Sequence, residues 1–207
     1  MPDSGFFITD YYSPIVGKKR LREQVTPLFT LVYNETDMPE PILQCARQPG
    51  FDVVDCFNAA NYAKYLKTSI FMIQSPYDAW SLKYILGALC EGNKDAPFTL
   101  SDCDENVRKV IEDYHANAIQ QLGYIRNGRK DVGIWGPACV QHGFEDHPSY
   151  NSKNFKVNDR TLMNAIERFL ENPYEAEWLL DERIWPGNQG CSGLSQISNL
   201  QFEHDLV

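Results

Sequence analysis

Ser69-Ile70-Phe71-Met72-Ile73-Gln74-Ser75-Pro76-Tyr77-Asp78 decides how this chain is read. The run from Ser69 to Gln74 is continuously apolar at its centre. That is the pattern of a strand buried on both faces rather than of a half-exposed hairpin strand. A proline then breaks the run, and a carboxylate, Asp78, stands where the strand has ended. Ala79 to Leu89 follows with Leu82, Ile85, Leu86 and Leu89 at helical spacing. A second stretch repeats the plan: Val132-Gly133-Ile134-Trp135 is a short buried strand, and Val140-Gln141-His142 closes the loop after it.

Working outward, the spacing predicts a helix over about 102–122. Ser101 and Asp104 form a capping-box-like start, and Val107, Val110, Ile111, Tyr114, Ala118 and Leu122 make its apolar stripe. A further helix is expected over 159–171, with Leu162, Ala165, Ile166, Phe169 and Leu170 on one face and Asn172-Pro173 as its stop. Gly5-Phe6-Phe7-Ile8 reads as the tail of a strand, and 9–24 as a loop running into polar helix. Thr26-Pro27 reads as a helix start, with threonine as cap and proline in the first turn. Asn58 to Lys67 is expected to hold a short helix. Residues 35–57 read as an irregular, cysteine-containing insertion, and 174–207 as an irregular tail. The order strand, acid, helices, strand, histidine, helix is α/β in type. It predicts one domain over 1–207, built as part of a doubly wound sheet, with its site at the carboxyl ends of the strands.

Asp78 and His142 both fall there. Asp78 is a good N-cap for the helix after it, and the same carboxylate can face a histidine from the next loop. His142 is either a loop histidine bonded to a backbone carbonyl or a general base. An acid after one buried strand and a histidine after the next is how an α/β-hydrolase supplies the last two members of a Ser-Asp-His triad. The third member is not in sight. The nearest candidate, Gly190-Cys191-Ser192-Gly193, lacks the final glycine of Gly-x-Ser-x-Gly, since Leu194 stands there, and it follows the histidine. Ser192 reads as turn structure, and Ser4 has no helix with which to form an elbow.

Composition sets limits. The 207 residues carry a net charge of −9, which gives nucleic-acid binding no electrostatic support. No apolar stretch approaches the roughly 18–20 residues needed to span a bilayer. Residues 1–10 do not have the form of a signal peptide. Six cysteines, at 45, 56, 90, 103, 139 and 191, include no Cys-x-x-Cys pair. They are expected to form disulfides rather than to remain reduced, although six cysteines allow fifteen pairings. Cys45 with Cys56 and Cys90 with Cys103 are the close pairs, each flanking a loop, and Cys139 and Cys191 are left over. Asn34-Glu35-Thr36 is a sequon, weakly consistent with secretion. His142, Glu145 and His147 match no helical zinc pattern, so no metal is expected. His115 is expected to be solvated and His204 to lie in a frayed tail. Trp80 and Trp135 flank the proposed pair, as core packing or as pocket lining.

Three segments carry a family resemblance. Asp3-Ser4-Gly5-Phe6-Phe7, Gln74-Ser75-Pro76-Tyr77-Asp78-Ala79-Trp80 and Pro137-Ala138-Cys139-Val140-Gln141-His142 resemble, in order, segments of the pectin acetylesterase/Notum family of carboxylesterases. The resemblance is to the C-terminal half of a full member. It implies an α/β-hydrolase fold, a secreted, disulfide-bonded enzyme without cofactor, and hydrolysis of an acyl ester on a polysaccharide or a protein. It maps the triad acid to Asp78 and the base to His142. The serine elbow and oxyanion donors would lie before Met1, so this chain is expected to be inactive alone. The other reading is a non-catalytic pseudoenzyme or binding protein. The tail has one cysteine, Cys191, where the family usually has several.

Overall fold

The structure, a computed structural model, describes residues 3–35, 38–88, 90, 100–144, 153 and 155–185. In chain order it holds α1 (Arg20–Glu35), α2 (Glu40–Ala46), α3 (Ala59–Tyr62), β1 (Ile70–Ile73), α4 (Ala79–Tyr84), α5 (Glu105–Arg126), β2 (Val132–Gly136), α6 (Leu162–Glu171) and β3 (Trp178–Leu180). The strands form one parallel sheet in the order β1-β2-β3. Ile70 pairs with Val132 and Ile73 with Trp135; Trp135 and Gly136 then pair with Leu179 and Leu180.

The apolar runs alternate faces, as a pleated strand requires. Met72, Val132, Ile134 and Leu180 pack with Ile111, Ala118, Leu122 and Ile125 of α5. Phe71, Ile73, Trp135 and Leu179 pack on the opposite face with Leu162, Ala165 and Phe169 of α6. The sheet is therefore covered on both sides, which explains why its strands carry no polar face.

The caps are local. Asp104 accepts from the Val107 amide at 2.9 Å to start α5, and Thr161 accepts from the Asn164 amide at 3.2 Å to start α6. A 3-10 turn, Leu100–Asp102, precedes the Asp104 cap. The helix expected over 79–89 closes at Tyr84, and Leu170, expected on the buried side of α6, is exposed.

Four expectations are corrected. Thr26-Pro27 is not a helix start: both residues lie inside α1, and Pro27 interrupts a helix already under way. Its first turn is anchored by tertiary contacts, with Leu21 buried and Arg22 bonded to Asp10, Asp52 and Asp55. Residues 35–57 are not irregular throughout. They contain α2 and a 3-10 helix, Val53–Phe57, joined by the Cys45–Cys56 disulfide. The region after 174 holds β3 as a third strand. Gly5 to Ile8 form no strand; a single parallel bridge, Asp3 to Ile73, is what the N-terminal segment adds to the sheet.

Candidate active site

The chain leaves β1 and β2 side by side and stays paired beyond them. Ser75 Oγ donates to the Cys139 carbonyl at 2.5 Å and accepts from the Tyr77 amide at 2.9 Å. Asp78 and Gln141 then form a parallel bridge, and the Ala79 amide donates to the Gln141 carbonyl at 3.3 Å. These links bring the two strand-end residues together. His142 Nδ1 lies 2.6 Å from Asp78 Oδ1. The other carboxylate oxygen accepts from the Ser81 amide at 2.8 Å, so Asp78 also caps α4. A carboxylate only accepts, so Nδ1 carries the proton and Nε2 is left to act as base.

Burial differs across the pair. Asp78 is 2% exposed and His142 about a quarter. Burial pushes the imidazole pKa down, but the hydrogen bond and charge of Asp78, with the charge of Asp3, outweigh it and hold His142 above its ordinary value. The ring faces two aromatic neighbours, with centroids 6.5 Å from Phe7 and 6.4 Å from Trp80; Phe7 and Trp80 are 4.6 Å apart.

Trp80 is thus half-buried beside the pair. Trp135 is core packing. It is fully buried on the far face of β2, packed edge-on against Phe144 and Phe155, with its indole N–H donated to the Arg160 carbonyl at 3.2 Å. The period-2 alternation of the strand turns it away. His115 is not solvated either. It is 3% exposed and stacked on Tyr77 at 4.1 Å, and burial pushes its pKa down to about 4. Tyr77, next to Asp78 in the chain, donates its hydroxyl proton to Glu112 at 2.6 Å and accepts from the Trp185 amide at 2.9 Å.

Asp3 and Ser4 open the first of the three segments that carry the family resemblance, and they hold the other side of the His142 loop. Ser4 Oγ accepts from the Gly143 amide at 2.8 Å, and Asp3 Oδ2 from the Phe144 amide at 2.7 Å. The contacts span 139 and 141 positions, so no local spacing could announce them.

Cys45 pairs with Cys56 and Cys90 with Cys103. Cys139 is also disulfide-bonded, and Cys191 lies outside the described residues. Asn34 belongs to the last turn of α1, but its side chain and Thr36 lie outside them too, as do Glu145, His147, Ser192 and His204. Among the described residues no group of three His, Cys, Asp or Glu could hold a metal ion. No helix among them is long and apolar enough to cross a membrane. A cavity of about 350 Å³ follows β1 between Ile70, Phe71, Met72, Ile125 and Phe169, and neither Asp78 nor His142 lines it.

Comparison with known proteins bears on this arrangement. Two crystal forms of the Wnt deacylase Notum from Drosophila superpose on the chain, each with a TM-score of 0.64. Sequence identity is 20% over 95% of this chain in one form and 21% over 91% in the other. The chain spans 48% of the Notum chain in both. The likeness shows an α/β-hydrolase fold. Comparison with curated protein sequences gives no match. The pectinacetylesterase family model matches residues 1–192, and the chain belongs to that family.

Proposed function

We propose that this chain carries the acid and the base of a carboxylic ester hydrolase, as the C-terminal half of its catalytic domain. The observation that carries the reading is the 2.6 Å contact between His142 Nδ1 and Asp78 Oδ1 at the adjacent ends of two parallel strands. With Nδ1 held by Asp78, Nε2 is the nitrogen that can take a proton from a serine hydroxyl as its oxygen attacks an acyl carbonyl. Asp78 stabilises the imidazolium that forms. His142 then protonates the departing alcohol, leaving an acyl-serine, and activates the water that clears it. No metal or organic cofactor enters these steps. Phe7 and Trp80 offer an apolar wall beside the imidazole for the acyl group.

The substrate class follows from the family: an ester of a small acid on a pectin-like polysaccharide, or, as in the deacylase Notum, an acyl group on a protein. Disulfide bonding of Cys45, Cys56, Cys90, Cys103 and Cys139 fits an oxidising, extracellular setting, where Asn34 could accept a glycan.

The nucleophile belongs elsewhere, because the 207 residues contain no Gly-x-Ser-x-Gly. The chain alone should therefore hydrolyse p-nitrophenyl acetate at background rate. Turnover abolished by His142→Ala would overturn that claim. Joined to a segment that supplies the elbow, the enzyme should lose on the order of 10⁴ in kcat with Asp78→Asn and on the order of 10⁶ with His142→Ala. Unchanged turnover in those variants would sink the triad assignment; the other reading, to which the missing elbow points, is a non-catalytic pseudoenzyme or binding protein.

A further inference from the structure

The His142 loop is held from two sides. Asp78 grips the ring, and the two residues Asp3 and Ser4 grip the backbone that follows it. Ser4 is 1% exposed and takes φ 53°, a left-handed conformation that serine seldom adopts. Its conformation is fixed from three directions. The Ser4 amide donates to the carbonyl of Ile73, the last residue of β1, at 2.8 Å. Its hydroxyl donates to Asp3 Oδ1 at 3.1 Å and accepts from the Gly143 amide at 2.8 Å. The second oxygen of Asp3 accepts from the Phe144 amide at 2.7 Å. Gly143 itself is left-handed, at φ 75°, and Phe144 is fully buried against Trp135. Two consecutive amides after His142 are thus tied to the end of the strand that leads to Asp78.

We propose that Asp3 and Ser4 are positioning residues for His142: they fix the peptide immediately after it, so that its ring meets Asp78 without a search. The catalytic meaning rests on the proposed triad, but the positioning can be read without turnover. A tether that merely closed a loop would leave the ring's bond to Asp78 unchanged when cut. A positioning device would not. Asp3 also adds negative charge near the imidazole, so Asp3→Asn removes charge as well as an acceptor.

The experiment is NMR on the 207-residue chain with labelled histidine and backbone amides. The wild type should show a slowly exchanging, downfield His142 Nδ1 proton. Ser4→Gly suits the left-handed backbone and removes only the small hydroxymethyl group, so it keeps the fold. In it the Gly143 amide should exchange at least about tenfold faster, and the Nδ1 proton should broaden or exchange faster. Asp3→Asn should do the same at Phe144 and should also lower the His142 titration midpoint. Asp78→Asn is the reference, in which the Nδ1 signal should vanish. If Asp78→Asn abolishes the signal while Ser4→Gly and Asp3→Asn leave it and the midpoint unmoved, the positioning role is wrong and the triad reading survives. If Asp78→Asn leaves the signal in place, both fall.

Discussion

Asp78 divides its carboxylate between two tasks: Oδ1 meets His142 Nδ1 at 2.6 Å and Oδ2 accepts the Ser81 amide at 2.8 Å. The residue is 2% exposed, so neither oxygen is screened by much water. One oxygen serves the fold by starting α4, and the other serves the imidazole. The two contributions can therefore be separated by substitution.

Asp78→Asn should keep most of the cap, because asparagine caps helices about as well as aspartate. Asp78→Ala loses the cap outright and should cost about 0.5–2 kcal/mol more. Both should lower the His142 titration midpoint, since both remove the charge that holds it up. Urea unfolding of the two variants beside an NMR histidine titration checks both halves. Equal stability of the two would deny the cap its role.

The same pair predicts a pH dependence. The folded pKa of His142 is raised above its unfolded value, which lies near 6.5. The folded state then binds the proton more tightly, so the pair's stabilisation is fully present below about pH 6.5. It is lost as pH rises through the folded pKa. The stability gap between wild type and His142→Gln should be widest in mildly acid buffer and should close above the folded midpoint. A gap that widened with pH would contradict the ion pair.

His115 should behave in the opposite sense. Burial pushes its folded pKa down to about 4, while the unfolded histidine titrates near 6.5. Between those values the unfolded chain binds the extra proton, so stability rises with pH across the window. Replacing His115 by Leu or Phe should flatten the dependence of the urea midpoint on pH between about 4 and 6.5. A variant with the wild-type slope would place the acid sensitivity elsewhere.

The pair and the two strands that carry it were legible because each is a local pattern. Ile70 to Ile73 and Val132 to Trp135 are unbroken apolar runs, and an acid or a histidine after each is visible in the chain. What was not legible depends on partners far along the sequence. Trp178-Leu179-Leu180 is too short to declare a strand, and becomes one only because Trp135 and Gly136 lie beside it. Thr26-Pro27 has the chemistry of a helix start, but contacts to Leu21 and Arg22 begin α1 earlier. His115 sits four residues after Ile111 and three before Ala118, on the buried face, and the apolar count passed over it because histidine is polar. Its companion, Tyr77, comes from the turn after β1.

Gly136 marks where the sheet leaves no room near the site. A Cβ there would press on the Gln74 carbonyl oxygen and lie 2.7 Å from Leu180 Cδ1. The Gln74 carbonyl is backbone at the end of β1 and cannot yield without moving that strand, and the Leu180 side chain is buried. Gly136→Ala should cost about 1–3 kcal/mol by overpacking and should disturb the His142 Nδ1 proton signal, because it pushes apart the two strand ends that carry the pair. Gly123→Ala is the counterpart. It lies within α5 with nothing within 4 Å of its would-be Cβ, and should stabilise by about 0.5–1 kcal/mol. Chemical denaturation of both distinguishes a packed sheet from a loose one, and a neutral Gly136→Ala would deny the close approach.

Tyr77 tests the buried network behind Asp78. Its hydroxyl donates to Glu112 and accepts from the Trp185 amide, and its ring is fully buried. Glu112 is held above the ordinary carboxylate range by burial, with the bonds to Tyr77 and Trp185 pulling the other way. Tyr77→Phe keeps the ring and removes the hydroxyl, leaving a backbone amide and a carboxylate without that partner, at a cost of about 1–3 kcal/mol. Losing a bond that favours the charged form should raise the folded pKa of Glu112 further. A raised carboxyl binds its proton more tightly when folded, so the penalty grows as pH rises through the window between its unfolded and folded values. The destabilisation by Tyr77→Phe should therefore be larger at pH 7 than at pH 4. An equal loss at both would mean that the hydroxyl serves Trp185 alone.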